Sequence, residues 1–585
     1  MTKDDPQVQS NGVYRKKNTF GSIDIDIISK CKSSISLEFT QPFDDAKNFV
    51  TIEQIVGGFG WFQFVVLLFS GLRESVVGYD AVVVSTITQP EQSFYCSESP
   101  AMPDWNSNNE SAIEFSQCHV FDWHNSHGRQ CNAWTYPESR DANLITHWDL
   151  VCHRQWYVPF MQSTYFLGLV VGNLFFGYLA DKIGRWRAYL IGHILSLIFG
   201  YASIFAPTIE LFILFRLITA FGIISNNIIY TIQIEIIGVD YRSYSTILNH
   251  FGWGLGMLLV PLAARSFDDF RYILAIAPTA SFIMLPWALW LPESARWLTI
   301  NGHDSKAREE LTRAARFNGK SIDEELENKI SLLSRRMLYE KQCQESETTV
   351  SNKYLLLLTN WNLTKNMLVL GLLRYLAFMF YYMLTIDFQG ISMEANFIIS
   401  GVGEWCGCLF GCVMLKLFPR RICVFIFMFI LSLSFAIQAV ADAQIFPGVD
   451  TKIVNTIINA IGTLSALMTA FVMLIVGQEV FPTIIRQTGC SIVNTVGETG
   501  SASAPFIILM NRSIGPVTAS IIWCVISFIC AGFSLCLTET KGIELNDLII
   551  RKKSMAPVHD HMFESIERKS SKQSDGTKFV SSFAS

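Results

Sequence analysis

Charge is what this 585-residue chain has least of: Asp, Glu, Lys and Arg make up 16% of it, against roughly 25% in a soluble protein. With 50% of its residues hydrophobic, it cannot be a disordered chain, a nucleic-acid binder or an ordinary cytosolic enzyme. Catalytic signatures are missing as well. There is no Gly-x-x-x-x-Gly-Lys-Ser/Thr phosphate loop, no His-Glu-x-x-His and no set of cysteines at zinc spacing facing one compartment. Cys406-Gly407-Cys408 with Cys412 lies in an apolar run and reads as packing. The expectation is a protein that is not an enzyme, holds no metal, needs no cofactor and binds no nucleic acid.

Apolar length is what the chain has instead. A helix that crosses a bilayer needs about 20 mostly apolar residues, and twelve such runs occur, near 61–86, 157–180, 187–206, 209–233, 245–265, 270–291, 364–386, 394–417, 422–441, 452–476, 488–510 and 516–537. The fold class expected is an all-α membrane protein of twelve transmembrane helices in two six-helix pseudo-repeats, with the lipid bilayer as its solvent. The segments divide as a cytoplasmic N-terminal segment (1–55), a first six-helix half (56–291) with an external loop (87–156), a cytoplasmic helical linker (292–363), a second half (364–540) and a cytoplasmic tail (541–585). The polar first fifty residues carry no cleavable signal pattern, so the first span is expected to direct insertion.

Orientation follows from Lys and Arg. With both termini inside, 35 of the 45 basic residues fall on internal segments, 7 on external ones, and Arg73, Arg216 and Arg374 within spans; basic residues concentrate on the cytoplasmic side of membrane proteins. The external loop then holds Cys96, Cys118, Cys131 and Cys152, an even set able to pair in three ways. It also holds the glycosylation acceptor Asn109-Glu110-Ser111.

The halves repeat. Glu235 and Arg242 follow span four as Glu479 and Arg486 follow span ten, and Glu293 follows span six as Glu539 follows span twelve. Charged groups at the inner ends of helices form ion pairs that hold that face shut and break as the halves rock, which is the role expected of Asp181, Arg185, Glu235, Arg242, Glu293, Arg296, Glu479 and Arg486. After span two stands Gly177-Tyr178-Leu179-Ala180-Asp181-Lys182-Ile183-Gly184-Arg185; after span eight Lys416-Leu417-Phe418-Pro419-Arg420-Arg421 lacks the acidic and glycine positions, which weakens the case for an inner gate in the second half.

These residues resemble the major facilitator superfamily, and within it the organic cation, anion and zwitterion transporters. The resemblance runs from about 55 to 548 and rests on Thr146-His147-Trp148-Asp149-Leu150-Val151-Cys152, on Tyr230-Thr231 with Glu235 and Arg242, on Pro292-Glu293-Ser294-Ala295-Arg296-Trp297-Leu298 and on Glu479-Val480-Phe481-Pro482-Thr483-Ile484-Ile485-Arg486-Gln487-Thr488-Gly489. It implies a plasma-membrane carrier in which spans one, two, four, five, seven, eight, ten and eleven surround a central cavity. It also implies that an acid at position 498 accompanies cation transport, where many anion and carnitine carriers have a base.

Intramembrane ionisable residues are costly and mark function unless they have partners. Glu404 and Glu498 sit midway along spans eight and eleven and are the expected cation-binding carboxylates, although Glu404 is equally readable as a structural partner of Arg374. Trp253, Tyr382, Tyr230 and Tyr381 supply rings for a quaternary or protonated amine, and Asp80 and Asp387, near the outer ends of spans one and seven, either attract cations to the external mouth or are solvated rim residues. The reading is potential-driven uptake of small organic cations by alternating access. Its rivals are an anion or zwitterion carrier with Arg73 or Arg374 binding a carboxylate, and a non-transporting receptor or scaffold.

Overall fold

A computed structural model of the chain describes residues 52–88, 94–97, 118–120, 129–137, 139–237, 242–347, 361–386, 393–444, 451–481 and 486–540. Asn109, Asp387, the N-terminal segment and the C-terminal tail lie outside them, as do the side chains of Arg242 and Arg486. The helices below belong to one body within residues 49–342 and 350–547; a second unit, 1–48, 343–349 and 548–585, contributes among the described residues only 343–347.

Twelve long helices account for the twelve apolar runs: α1 Trp61–Thr86, α2 Tyr157–Ile183, α3 Arg185–Ile204, α4 Ile209–Ile223 resumed as Asn226–Ile236, α5 Arg242–Ser266, α6 Phe270–Trp290, α7 Trp361–Ile386, α8 Met393–Leu417, α9 Arg420–Asp442, α10 Thr451–Val480, α11 Arg486–Ile514 and α12 Pro516–Ser534. Ten are long and apolar enough to cross a membrane on length and composition alone; α5 and α11 are the exceptions. Both carry polar side chains inward, Asn249 and His250 on one and Asn494 and Glu498 on the other.

The packing repeats with a shift of six helices. α1 packs on α5 as α7 packs on α11, α3 on α6 as α9 on α12, and α2 on α4 as α8 on α10. The halves meet along α2 against α11 and α5 against α8. Small residues make the closest approaches possible, since helices in lipid gain from van der Waals contact and not from water exclusion. Gly252 and Gly256 of α5 sit over the carbonyls of Gly71 and Ser75 of α1 without room for a β-carbon. Gly254 faces the other way: a β-carbon there would stand 2.8 Å from the carbonyl oxygen of Gly401 of α8, and one on Gly401 would stand 2.9 Å from that of Gly254.

α4 breaks after Ile223, where Ser225, Asn227 and Ile228 donate to carbonyls three residues back. The tightened turn frees Asn226 and Asn227 to face the interior. At the loop end, Cys96 pairs with Cys131 and Cys118 with Cys152, one of the three connectivities open to the sequence. At the opposite end the linker helix Asp304–Phe317 leads to Asn318, whose amide donates to Val56 O (2.9 Å) and Gln63 Oε1 (2.8 Å) and accepts from Phe62 N (2.9 Å).

Gly252→Ala is expected to lower the thermal midpoint of the purified protein, at a cost on the order of 1–3 kcal/mol from overpacking. Gly532→Ala in α12, where a β-carbon meets nothing within 4 Å, is expected to leave the midpoint unchanged; equal shifts would contradict this packing.

Candidate functional site

A cavity of about 210 Å³ lies between the halves. Its walls come from α1, α2, α4, α5, α7, α8, α10 and α11, the eight spans implied by the family resemblance. All six residues expected to bind substrate, Glu498, Glu404, Trp253, Tyr382, Tyr230 and Tyr381, line it.

Glu404 is 1% exposed. Its Oε1 accepts a 2.7 Å bond from the Tyr381 hydroxyl, which in turn accepts from Trp253 Nε1 at 3.0 Å. Its Oε2 stands 3.6 Å from His250 Nδ1. Trp253 and His250 belong to the first half and Tyr381 and Glu404 to the second, so this chain of contacts crosses the seam. Glu404 is thus partnered by His250 and Tyr381; the sequence reading that offered it Arg374 is corrected.

Arg374 faces Glu498 instead. It is 6% exposed, its guanidinium carbon lies 4.8 Å from the centre of the Phe378 ring, and its Nε and Nη1 make no hydrogen bond among the described residues. Glu498 accepts a 3.4 Å bond from Ser501. A third carboxylate, Glu74, enters from α1 and accepts from the Asn226 amide.

Two placements differ from expectation. Asp80 is not a solvated rim residue: it is 3% exposed, its Oδ1 lies 2.6 Å from Arg216 Nη1, and it accepts a 3.0 Å bond from Tyr165. Arg73 is fully buried and turned away from the cavity, donating to Ser281 Oγ at 2.9 Å and Ser196 Oγ at 3.3 Å. Sequence reasoning missed Glu74, His250 and Asn226 as wall residues. The available signal was polarity of any kind in an apolar run, such as Asn226-Asn227 and Asn249-His250.

At the linker end, each half carries a clip. In the first half Glu293 Oε1 accepts from the backbone N–H groups of Arg185 (2.8 Å), Trp186 (3.2 Å) and Ser294 (3.0 Å). A carboxylate thereby caps the N-terminus of α3, whose first amides have no partner within the helix. Gly184, at φ 108°, brings the chain close enough to that carboxylate that a β-carbon would collide with it. Burial pushes the Glu293 carboxyl above the usual carboxylate range, against the opposing pull of these N–H bonds and of Arg185. Arg185 also reaches Asp181 (3.3 Å) and Glu235 (3.8 Å), and Ser294 Oγ donates to Glu235.

The second half reproduces this arrangement. Glu539 accepts from the N–H groups of Arg420 (2.9 Å), Thr540 (3.2 Å) and Arg421 (3.4 Å), Arg420 bonds Glu479 through Nη2 (3.2 Å) and Nε (3.3 Å), and Thr540 Oγ1 donates to Glu479. Arg185 Nη1 donates to Ala180 O, and Arg420 Nη1 to Leu415 O, each five residues back. The clip forms here although the acidic and glycine positions of the motif are lost: it needs an arginine opening the odd-numbered helix and a carboxylate over its first amides, and Pro419 replaces the glycine without positive φ. Arg296 sits half-buried in the first turn of the helix Ala295–Ile300.

Residues 68–549 match the model of the sugar (and other) transporter family. Among similar proteins, solute carrier family 22 member 7 of Mus musculus is 27% identical over 426 residues, 71% of this chain and 75% of that one. Solute carrier family 22 member 13 of Homo sapiens is 28% identical over 461 residues, 77% and 79% of the two chains. The structure of the proton:xylose symporter XylE of the major facilitator superfamily, bound to 6-bromo-6-deoxy-D-glucose, aligns with a TM-score of 0.58 at 17% identity, covering 83% of this chain and 98% of that one. The fold is therefore the major facilitator fold.

Arg420→Ala is expected to destabilise the purified protein as much as Arg185→Ala, each by roughly 1.5–3 kcal/mol for loss of charged hydrogen bonds. Arg421, whose side chain meets Glu539 at 3.8 Å while 48% exposed, should matter far less when changed to Ala. Thermal midpoints check the ranking.

Proposed function

Because the chain belongs to the sugar (and other) transporter family, we propose that this multi-pass membrane transporter is an alternating-access carrier of small organic cations. One observation carries the reading: three carboxylates, Glu74, Glu404 and Glu498, face one cavity in which the basic side chains among the described residues are Arg374 and His250. Unit charges a few ångströms apart interact several-fold more strongly in such a site than in bulk water, and an ammonium offsets the excess. Trp253, Tyr230, Tyr381 and Tyr382 add ring faces worth about 0.5–2 kcal/mol each to a cation. A carrier that returns empty needs no coupling ion, since an inside-negative potential favours cation entry by ~2.3 kcal/mol per 100 mV.

In this reading the disulfide loop is external, the linker and both termini are cytoplasmic, and the plasma membrane is the site of action. The clips of Arg185 with Glu235 and Glu293, and of Arg420 with Glu479 and Glu539, hold the inner ends of each half rigid while the halves rock. Arg374 supports a second reading. Its unbonded Nε and Nη1 fit a substrate carboxylate, which would make the cargo a zwitterion.

In cells expressing the protein, saturable tetraethylammonium uptake is expected. Glu404→Gln should weaken its affinity roughly ten- to a hundredfold, as for loss of a charged contact, and Glu498→Arg should abolish it. Unchanged affinity in Glu498→Arg would remove that residue from the site; uptake of a carboxylate-bearing zwitterion but not of tetraethylammonium would favour the second reading.

A further inference from the structure

We infer that His250 and Glu404 form a proton site which the ammonium group of the substrate displaces, so that the carrier exchanges organic cations for protons. This deepens the cation reading above and rests on it.

The geometry points to a proton in three ways. Glu404 is almost completely buried, and its Oε2 makes no hydrogen bond among the described residues. The group nearest to hand is His250 Nδ1 at 3.6 Å, and histidine is the side chain whose ordinary ionisation falls between about pH 5 and 8. The His250 side chain is 27% exposed, toward the cavity, against 1% for Glu404, so water reaches the imidazole more readily.

The charged and titratable groups around His250 agree. From α8 it meets Glu404 and from α1 Glu74, the latter held by Asn226. Arg73 on α1 turns the other way, onto Ser196 and Ser281. From α7 the Tyr381 hydroxyl holds the far oxygen of Glu404, α4 brings Tyr230 to the same cavity wall, and α10 presents the Phe471 ring, 5.3 Å away. Across the cavity Arg374 and Glu498 face each other. The excess negative charge therefore lies on the His250 side. An imidazolium there meets Glu404, and an ammonium in the same place does the same work, but two cations side by side in a poorly hydrated cavity repel.

Proton and substrate are mutually exclusive on that account. As a cation binds from one side, the proton on His250 Nδ1 leaves to water on that side. When the cation departs on the other side, water delivers a proton to the same nitrogen, and the carrier returns with it. One cation has entered for one proton moved out, with no net charge transferred. A carrier whose imidazole holds no proton returns empty, and the membrane potential alone then drives uptake. Because His250 and Glu404 belong to opposite halves, the proton also engages the seam that rocks.

The test uses the purified full-length protein in proteoliposomes, with the potential clamped at zero by valinomycin and equal potassium, the interior at about pH 6 and the exterior one unit higher. Labelled tetraethylammonium should accumulate well above equilibrium, approaching about tenfold for one-for-one exchange. In His250→Gln the plateau ratio, which reads coupling and not rate, should fall to one. A wild-type ratio of one in vesicles that still exchange labelled for unlabelled tetraethylammonium overturns the proton inference and leaves the cation reading standing. Wild-type protein that neither exchanges nor accumulates the probe overturns the cation reading itself. Accumulation by His250→Gln equal to wild type removes the proton from this histidine; if that variant is not recovered, the wild-type ratio decides.

Discussion

An ionised side chain held away from water costs several kcal/mol unless another charge or a set of hydrogen bonds meets it, and each charged group described within the bundle answers that demand in its own way. Asp80 and Arg216 meet each other. Arg73 meets two serine hydroxyls. The carboxylates of Glu293 and Glu539 lie at the membrane boundary and spend themselves on backbone amides that α3 and α9 leave open. Glu74, Glu404, Glu498 and Arg374 instead share one cavity. The cavity is where the molecule leaves its charge incompletely answered, and the two helices whose composition falls short of a membrane span, α5 and α11, bring their polar side chains to it.

Duplication gives this arrangement its regularity. A shift of six helices maps the packing of one half onto the other, and it maps Arg185, Glu235, Glu293 and Ser294 onto Arg420, Glu479, Glu539 and Thr540 in type of contact. What is kept between the halves is the chemistry of a capped helix start and a guanidinium across it. The cavity side chains are not kept: Glu74 and Asn226 on one side and Arg374 and Glu498 on the other share no pattern. Ends that repeat and a centre that does not are what a carrier needs if both halves move alike while the bound solute is asymmetric.

Much of this was legible in the sequence. Every one of the twelve helices overlaps an apolar run, because about 20 apolar residues leave the backbone no other way to satisfy its amides in lipid. The joint between α2 and α3 shrinks to Gly184 where a longer link was expected, and the break in α4 was invisible because Ile223-Ile224-Ser225 is as apolar as what precedes it. Acids in apolar runs announced Glu404 and Glu498. What no run announces is the direction in which a side chain points: Asp80 and Glu74 lie on the same helix, yet one turns onto Arg216 and the other onto open space. His250 escaped because a count of formal charge passes over histidine. The second clip was hard to read because the motif letters are lost there while the contact they serve is kept.

The crossing of α5 and α8 at Gly254 and Gly401 has a mechanical meaning. The two backbones touch there with the Leu258 side chain of α5 and the Trp405 indole of α8 packed against the glycines, so the contact resists sliding. Flanking it, Phe251 stacks on Trp405 at 5.5 Å, and Trp253 holds the Tyr381 hydroxyl that also bonds Glu404. One phenol oxygen therefore joins the α5–α8 crossing to the Glu404 carboxylate.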